Sequence, residues 1–264
     1  MTGPECAIVT EQAYLDDATV RTFTAQVTRR LDDRLVLDRT HFYPEGGGQP
    51  ADHGCLRVAD GEAAFRVVDV QKRDTIYHHL EPEDSADLPT EGATVECELN
   101  WERRHAHMRY HTAQHLLSAL LLDEFDAPTT GNQLYADRAR IDCEYDRFTD
   151  EDREHVASRM NELIDDALPV RWYEMDREAA ERELDTDRTR IDLLPDSIRE
   201  LRIVEVGGDG PAGATDSDRA AAAPYDRTAC AGTHVTSTGD LGTATVTGRE
   251  TKGSGEERLS FRLE

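Results

Sequence analysis

His111-Thr112-Ala113-Gln114-His115 and Cys230-Ala231-Gly232-Thr233-His234 are the stretches on which the fold turns. Each offers two potential metal ligands four residues apart. On a helix, residues at i and i+4 share one face with Cβ atoms about 5–6 Å apart, so both side chains reach one ion. Taken alone, an H-x-x-x-H pair reads equally well as two satisfied histidines, and Cys230 as a small buried hydrophobe. Two such pairs in one chain point to a site of three histidines and one cysteine that closes only when the chain folds. Thr112 stands where the zincin motif places its general-base glutamate, which disfavours a peptidase of that kind.

Working outward from the first pair, Asn100 reads as an N-cap, and Trp101 to Phe125 carries helical apolar spacing through His115, Leu116 and Leu120. Upstream the chain reads as β-rich: Val20–Gln26, Arg34–Asp38, Phe65–Val70 and Thr94–Leu99 show short alternating patterns, as in a small barrel. Among them lies Phe42-Tyr43-Pro44-Glu45-Gly46-Gly47-Gly48-Gln49-Pro50, a loop whose glycines permit close backbone approach. Downstream, Leu134–Tyr145 reads as extended. Thr149 with Asp152 forms a capping box for a helix to about Ala167. Val170–Glu174 and Leu201–Val206 read as strands, Arg177–Leu184 as a short helix, and Leu241–Glu250 and Arg258–Leu263 as two last strands. Gly207–Pro224, rich in Gly, Ala, Asp and Pro, reads as a surface insertion. The fold class is α+β: an N-terminal barrel domain over 1–97, then a domain over 98–264.

Composition bounds the setting. No apolar run is long enough to span a membrane, and no secretory signal is visible, so the expected location is the cytoplasm. Cys6, Cys55, Cys97, Cys143 and Cys230 are scattered and odd in number, unlike a disulfide framework. The net charge is -25, and Lys72 and Lys252 are the only lysines. Acidic residues spread along the whole chain suit a salt-loving cytoplasm. In molar salt the Debye length falls to about 3 Å, so this surface does not exclude a nucleic-acid partner.

The glycine-rich segment, with Asp52 and Gly54, resembles the motif preceding the editing domain of alanyl-tRNA synthetases. His111-Thr112-Ala113-Gln114-His115-Leu116-Leu117 and Cys230-Ala231-Gly232-Thr233-His234-Val235 resemble that domain's two metal motifs, in the same order. The chain is thereby identified as resembling the free-standing AlaX family of alanyl-tRNA editing proteins, medium-length class. Threonyl-tRNA synthetase editing domains share the metal motifs but not the glycine-rich one. Three features depart from the family pattern: Ala231 where many relatives have glycine, Ile141-Asp142-Cys143 where an aromatic-Asp-aromatic stretch is common, and the Gly207–Pro224 insertion.

The resemblance implies a two-layer α/β editing domain and a zinc-dependent deacylase acting in trans on mischarged tRNA(Ala), chiefly Ser-tRNA(Ala), with Gly-tRNA(Ala) as a further substrate. His111, His115, Cys230 and His234 would hold Zn2+. By alignment Thr130 falls where the pocket presents a polar side chain to the substrate hydroxyl, with Gln114 as a second catalytic candidate. Thr129, Gln133, Lys252 and the Gly46, Gly47, Gly48, Gln49 turn are the expected substrate contacts, Lys252 at phosphate near the CCA end. Arg103, Arg104 and Arg109 offer similar contacts. Four protein ligands sit awkwardly with catalysis, since catalytic zinc usually keeps one position open. The expected partner is the tRNA acceptor end and the expected state a monomer. A zinc-dependent hydrolase of another small ester, or an inactive tRNA-binding paralogue stabilised by zinc, are the competing readings.

Overall fold

The computed structural model describes residues 9–59, 61, 63–82, 87–184, 188–189, 191, 194–195, 197–208 and 223–264. Most of the expected Gly207–Pro224 insertion, and Cys6, lie outside them. The chain divides into two compact units, Met1–His105 and Ala106–Glu264, and the division falls inside the first helix.

In the first unit, β1 (Thr22–Arg30), β2 (Arg34–Leu37), β3 (Gly54–Val58), β4 (Ala64–Lys72), β5 (Ile76–Pro82) and β6 (Thr94–Leu99) close into a barrel in the order β1-β2-β5-β4-β3-β6. Alternation sets the two faces: along β6, Val95, Cys97 and Leu99 point inward while Glu96 and Glu98 face solvent. Leu35, Leu37, Leu56, Phe65, Val67, Val70 and Ile76 fill the interior. β3 and β5 escape the sequence reading. In β5 the inward positions are Ile76, His78 and Leu80, so a polar residue interrupts the apolar period. His78 is accommodated because Thr40 Oγ1 lies 2.8 Å from its Nε2, and burial pushes its pKa down to about 4, keeping it neutral.

The glycine-rich segment is woven into this barrel. Phe42, Tyr43, Gln49, Ala51 and Asp52 are buried. Gly46 and Gln49 exchange backbone hydrogen bonds of 3.1 and 2.9 Å around Gly47 (φ 56°) and Gly48 (φ 81°). Two successive left-handed residues make a tight turn that side-chain-bearing residues rarely adopt, which accounts for the glycines. Arg104 is fully buried and holds the segment: its Nε donates to Asp52 at 2.8 Å, Nη1 to Ala18 O at 2.9 Å, and Nη2 to His41 O and Asp52.

The first helix, α1 (Trp101–Phe125), starts where expected, with Asn100 Oδ1 accepting from Arg103 N at 3.1 Å. Then follow β7 (Thr129–Leu134), β8 (Ala139–Glu144), α2 (Asp150–Asp165), β9 (Val170–Asp176), α3 (Arg177–Glu183), β10 (Glu200–Val206), β11 (Asp226–Ala229), β12 (Ala244–Gly253) and β13 (Glu256–Leu263). They build a four-stranded sheet, β12-β13-β8-β7, and a three-stranded one, β11-β10-β9. Leu134–Tyr145 is thus the turn and second strand of a hairpin, not one extended run. The Thr149–Asp152 capping box forms as expected, and α2 buries Val156, Met160, Leu163 and Ile164 at helical spacing. Every residue from His111 to Leu120 is buried, so the middle of α1 is a core helix. Among the described residues no helix is long and apolar enough to cross a membrane. The α+β class and the N-terminal barrel stand as read from the sequence.

Candidate metal centre

α1 carries His111 and His115 one turn apart, as the spacing requires. The second pair is not helical. Cys230 follows directly on β11, and His234 comes from the loop beyond it. The loop reaches the same point by lying against the helix: a Cβ on Gly232 would fall 2.0 Å from His111 Cε1, so only glycine fits there. Arg202 on β10 fixes the loop, donating from Nη1 to Cys230 O at 2.8 Å and Gly232 O at 3.2 Å.

The four ligand atoms of His111, His115, Cys230 and His234 all lie within 4.8 Å of one another. Cys230 Sγ is 3.6 Å from His111 Nε2 and 3.4 Å from His234 Nε2. Groups behind the ligands aim them. His115 Nδ1 donates to Asp226 Oδ2 at 2.7 Å, which leaves Nε2 as the nitrogen that could take a metal ion. Asp226 is itself held by Arg188 at 2.8 and 2.9 Å. Thr112 Oγ1 lies 3.2 Å from His234 Nδ1, and takes a 3.3 Å hydrogen bond from Val235 N.

Burial opposes ionisation of Cys230, but His111 and His234 outweigh it and hold the thiol well below its usual range. Burial works against a charge on His115 too, yet Asp226 and Cys230 raise its pKa to about 9. Burial and the neighbouring His111 take His234 down to about 3. A thiolate grouped with three imidazoles, one of them backed by a carboxylate, is the donor set suited to a borderline-soft divalent ion. These residues fit a metal.

Asp226, Arg188 and Arg202 were not found by sequence reasoning. The one available signal was an aspartate four residues before Cys230, at the start of a strand too short to show a period.

The other candidate residues are placed as follows. Gln114 is buried; its Nε2 donates to Arg140 O at 3.1 Å, and its Oε1 lies 3.4 Å from Asn132 Nδ2. Thr129 Oγ1 pairs with Ser118 Oγ at 2.6 Å. Thr130 is the extra residue of a bulge between Thr129 and Gly131; it is exposed and donates to Glu256 Oε1 at 2.8 Å. Gln133 Nε2 donates to Leu134 O at 3.3 Å. Lys252 is exposed on the β12–β13 hairpin, 3.5 Å from Glu250 Oε1. Arg109 donates from Nε to Leu241 O at 3.1 Å and from Nη2 to Glu264 O at 3.1 Å, and so ties α1 to the chain end. Gly46–Gln49 belong to the barrel unit, as do Arg103 and Arg104.

The chain is similar to known proteins over nearly its whole length. Residues 10–103 match the family described as tRNA synthetases class II (A), and residues 201–260 match the threonyl and alanyl tRNA synthetase second additional domain. An alanyl-tRNA editing protein AlaX-M of Methanosarcina barkeri is 35% identical over 97% of this chain and 99% of its own length. That of Methanosarcina acetivorans is 34% identical over 97% and 99%. An alanine–tRNA ligase of Methanopyrus kandleri is 38% identical over 96% of this chain, which spans only 26% of the ligase. The chain belongs to the alanyl-tRNA editing protein AlaX-M family.

Proposed function

We propose that this protein is a trans-acting, zinc-dependent deacylase that hydrolyses the ester of mischarged tRNA(Ala), Ser-tRNA(Ala) first and Gly-tRNA(Ala) second. The observation that carries the reading is the convergence of His111, His115, Cys230 and His234 within 4.8 Å, in a chain related over nearly its whole length to alanyl-tRNA editing proteins. The need for such an activity follows from binding energetics. A pocket built for alanine cannot strongly reject serine, because one small group is worth only about 1–3 kcal/mol there. A second site that hydrogen-bonds the serine hydroxyl leaves its polar groups unpaired with alanine, and so spares the correct product.

In this reading His111, His115, Cys230 and His234 hold Zn2+, which supplies positive charge near the ester carbonyl when bound. Asp226 keeps the Nδ1 proton on His115 and so keeps Nε2 available as a ligand. Water oxygen bonds to the carbonyl carbon, the bond to the ribose oxygen breaks, and that oxygen takes a proton; no covalent enzyme intermediate forms. Thr130 is assigned to the substrate hydroxyl, with Gln114 and Gln133 as further candidates for it, and Thr129 to substrate contact. In free protein Thr130 is paired with Glu256 and Gln114 with Arg140 and Asn132, so substrate must displace or extend those bonds. Lys252 and the Gly46–Gln49 turn are assigned to the tRNA acceptor end. The barrel over 1–97 carries the glycine-rich motif and 98–264 is the deacylase, working as a monomer in a salt-rich cytoplasm.

Release of labelled serine from Ser-tRNA(Ala) in molar KCl, with Ala-tRNA(Ala) as the control, tests this. Turnover that is selective for the seryl ester and abolished by a chelator supports the reading. Hydrolysis of unrelated esters with none of Ser-tRNA(Ala) overturns it, as does binding of tRNA without turnover.

A further inference from the structure

The three-stranded sheet offers the metal centre more than ligands. Residues paired directly across strands project to the same face. The register pairs Trp172 with Val204, Val204 with Thr228, Val206 with Asp226 and Arg202 with Glu174. Cys230 continues β11 past its last paired residue, with its N–H bonded to Arg202 O at 3.0 Å. Asp226, Thr228, Cys230, Arg202 and Trp172 therefore share one face, the face of the metal centre. The opposite face is closed by Tyr173, Ala180, Leu184, Leu201 and Ile203, a separate apolar cluster.

Trp172 lies on the edge strand β9 and is 39% exposed. An exposed tryptophan alone says little, since single surface hydrophobics are common. Its neighbour gives it meaning. The Arg202 guanidinium carbon sits 5.0 Å from the indole centroid, over the ring, and the same guanidinium donates to the carbonyls of Cys230 and Gly232. One side chain therefore both backs the indole and clamps the metal-binding loop, which fixes the ring relative to the ligands. Tyr135 is a useful contrast. It is 37% exposed and lies 4.3 Å beneath Arg138, but it caps the β7–β8 turn and neither residue holds a ligand loop.

From this we infer that Trp172, backed by Arg202, is a stacking platform for the 3′-terminal nucleobase of the charged tRNA, placing the ester next to the metal centre. The inference rests on the deacylase reading for its ligand. Every base offers a π-face to an aromatic ring, and a cation on the ring's far side adds to the attraction. In this role Trp172 is a positioning residue: it sets where the ester lies and takes no part in bond making.

The test compares a substrate that carries the base with one that does not. In Trp172→Ala, the ratio of kcat/KM on Ser-tRNA(Ala) to kcat/KM on serine ethyl ester falls about 5- to 100-fold, the worth of one base–aromatic stack, mostly through KM. Trp172→Phe, which keeps a ring, recovers most of the loss, Tyr135→Ala leaves the ratio unchanged, and bound metal stays at the wild-type level in all three. Equal loss on both substrates overturns the inference, since it marks a role in stability. Binding supplies an independent arm. Uncharged tRNA(Ala) should quench tryptophan emission in wild type and do so less in Trp172→Phe. Quenching of undiminished amplitude in Trp172→Phe assigns the signal to Trp101 and overturns the platform. Quenching diminished in Trp172→Phe, in a protein without deacylase turnover, would leave the platform standing and the deacylase reading fallen.

Discussion

Arg104 in the barrel and Asp226 in the second unit are both almost wholly buried charges, with side chains 0% and 1% exposed. They differ in where their hydrogen bonds end. Those of Arg104 close on the chain itself, at Asp52 and the carbonyls of Ala18 and His41. The bonds of Asp226 lead through His115 to a point where a second nitrogen, two more imidazoles and a sulfur face one another within 4.8 Å. Donors and acceptors matched to each other are a structural device. A sulfur and three imidazoles gathered around one point are instead a donor set that could hold a cation, and that contrast separates a folding element from a candidate binding centre.

The contrast predicts which substitution harms what. Arg104→Met strands a buried Asp52 carboxylate and should cost about 3–5 kcal/mol in urea unfolding, while the metal content of folded protein stays at wild type. His111→Ala should do the reverse. The fold survives, bound metal falls to near zero by elemental analysis, and deacylation drops on the order of 10²–10³-fold. A His111→Ala protein that keeps both its metal and its rate would erase the distinction. Asp226→Asn removes the carboxylate behind His115 and should weaken metal affinity about 10- to 100-fold in chelator competition. Thr149→Ala lies outside both clusters and sets the baseline: losing the α2 cap should cost about 1 kcal/mol of stability and leave metal and activity unaltered.

What could be read from the sequence follows the range over which each signal acts. The caps of α1 and α2 are local, and Asn100 and the Thr149–Asp152 pair mark their starts correctly. The grouping of His111, His115, Cys230 and His234 was legible because two short spacings each carry their own geometry, although the second pair reaches that point through a loop. Other features depend on partners far along the chain. β7 holds a glycine and a bulge and no alternating apolar run, so nothing in Thr129–Leu134 announces a strand. β5 hides behind a buried histidine whose hydroxyl partner lies 38 residues away. Asp226 earns its role from His115, 111 residues upstream, and no spacing within β11 shows that. The glycine-rich segment reads as a loop that permits close backbone approach; its Phe42, Tyr43 and Gln49 are buried in the barrel, while Glu45 and Gly47 stay exposed, and no local pattern separates the two sets.

Cys230 and His111 stand 119 residues apart in the chain. An ion shared between them would act as a crosslink across most of the second unit. By the chain-entropy estimate for loops of this size, such a tie is worth about 4–5 kcal/mol against the unfolded ensemble. Occupancy would then govern longevity. Stripped protein should stay folded, as His111→Ala does, yet be digested by trypsin faster than loaded protein, so the ion would set how long the chain lasts as well as what it does.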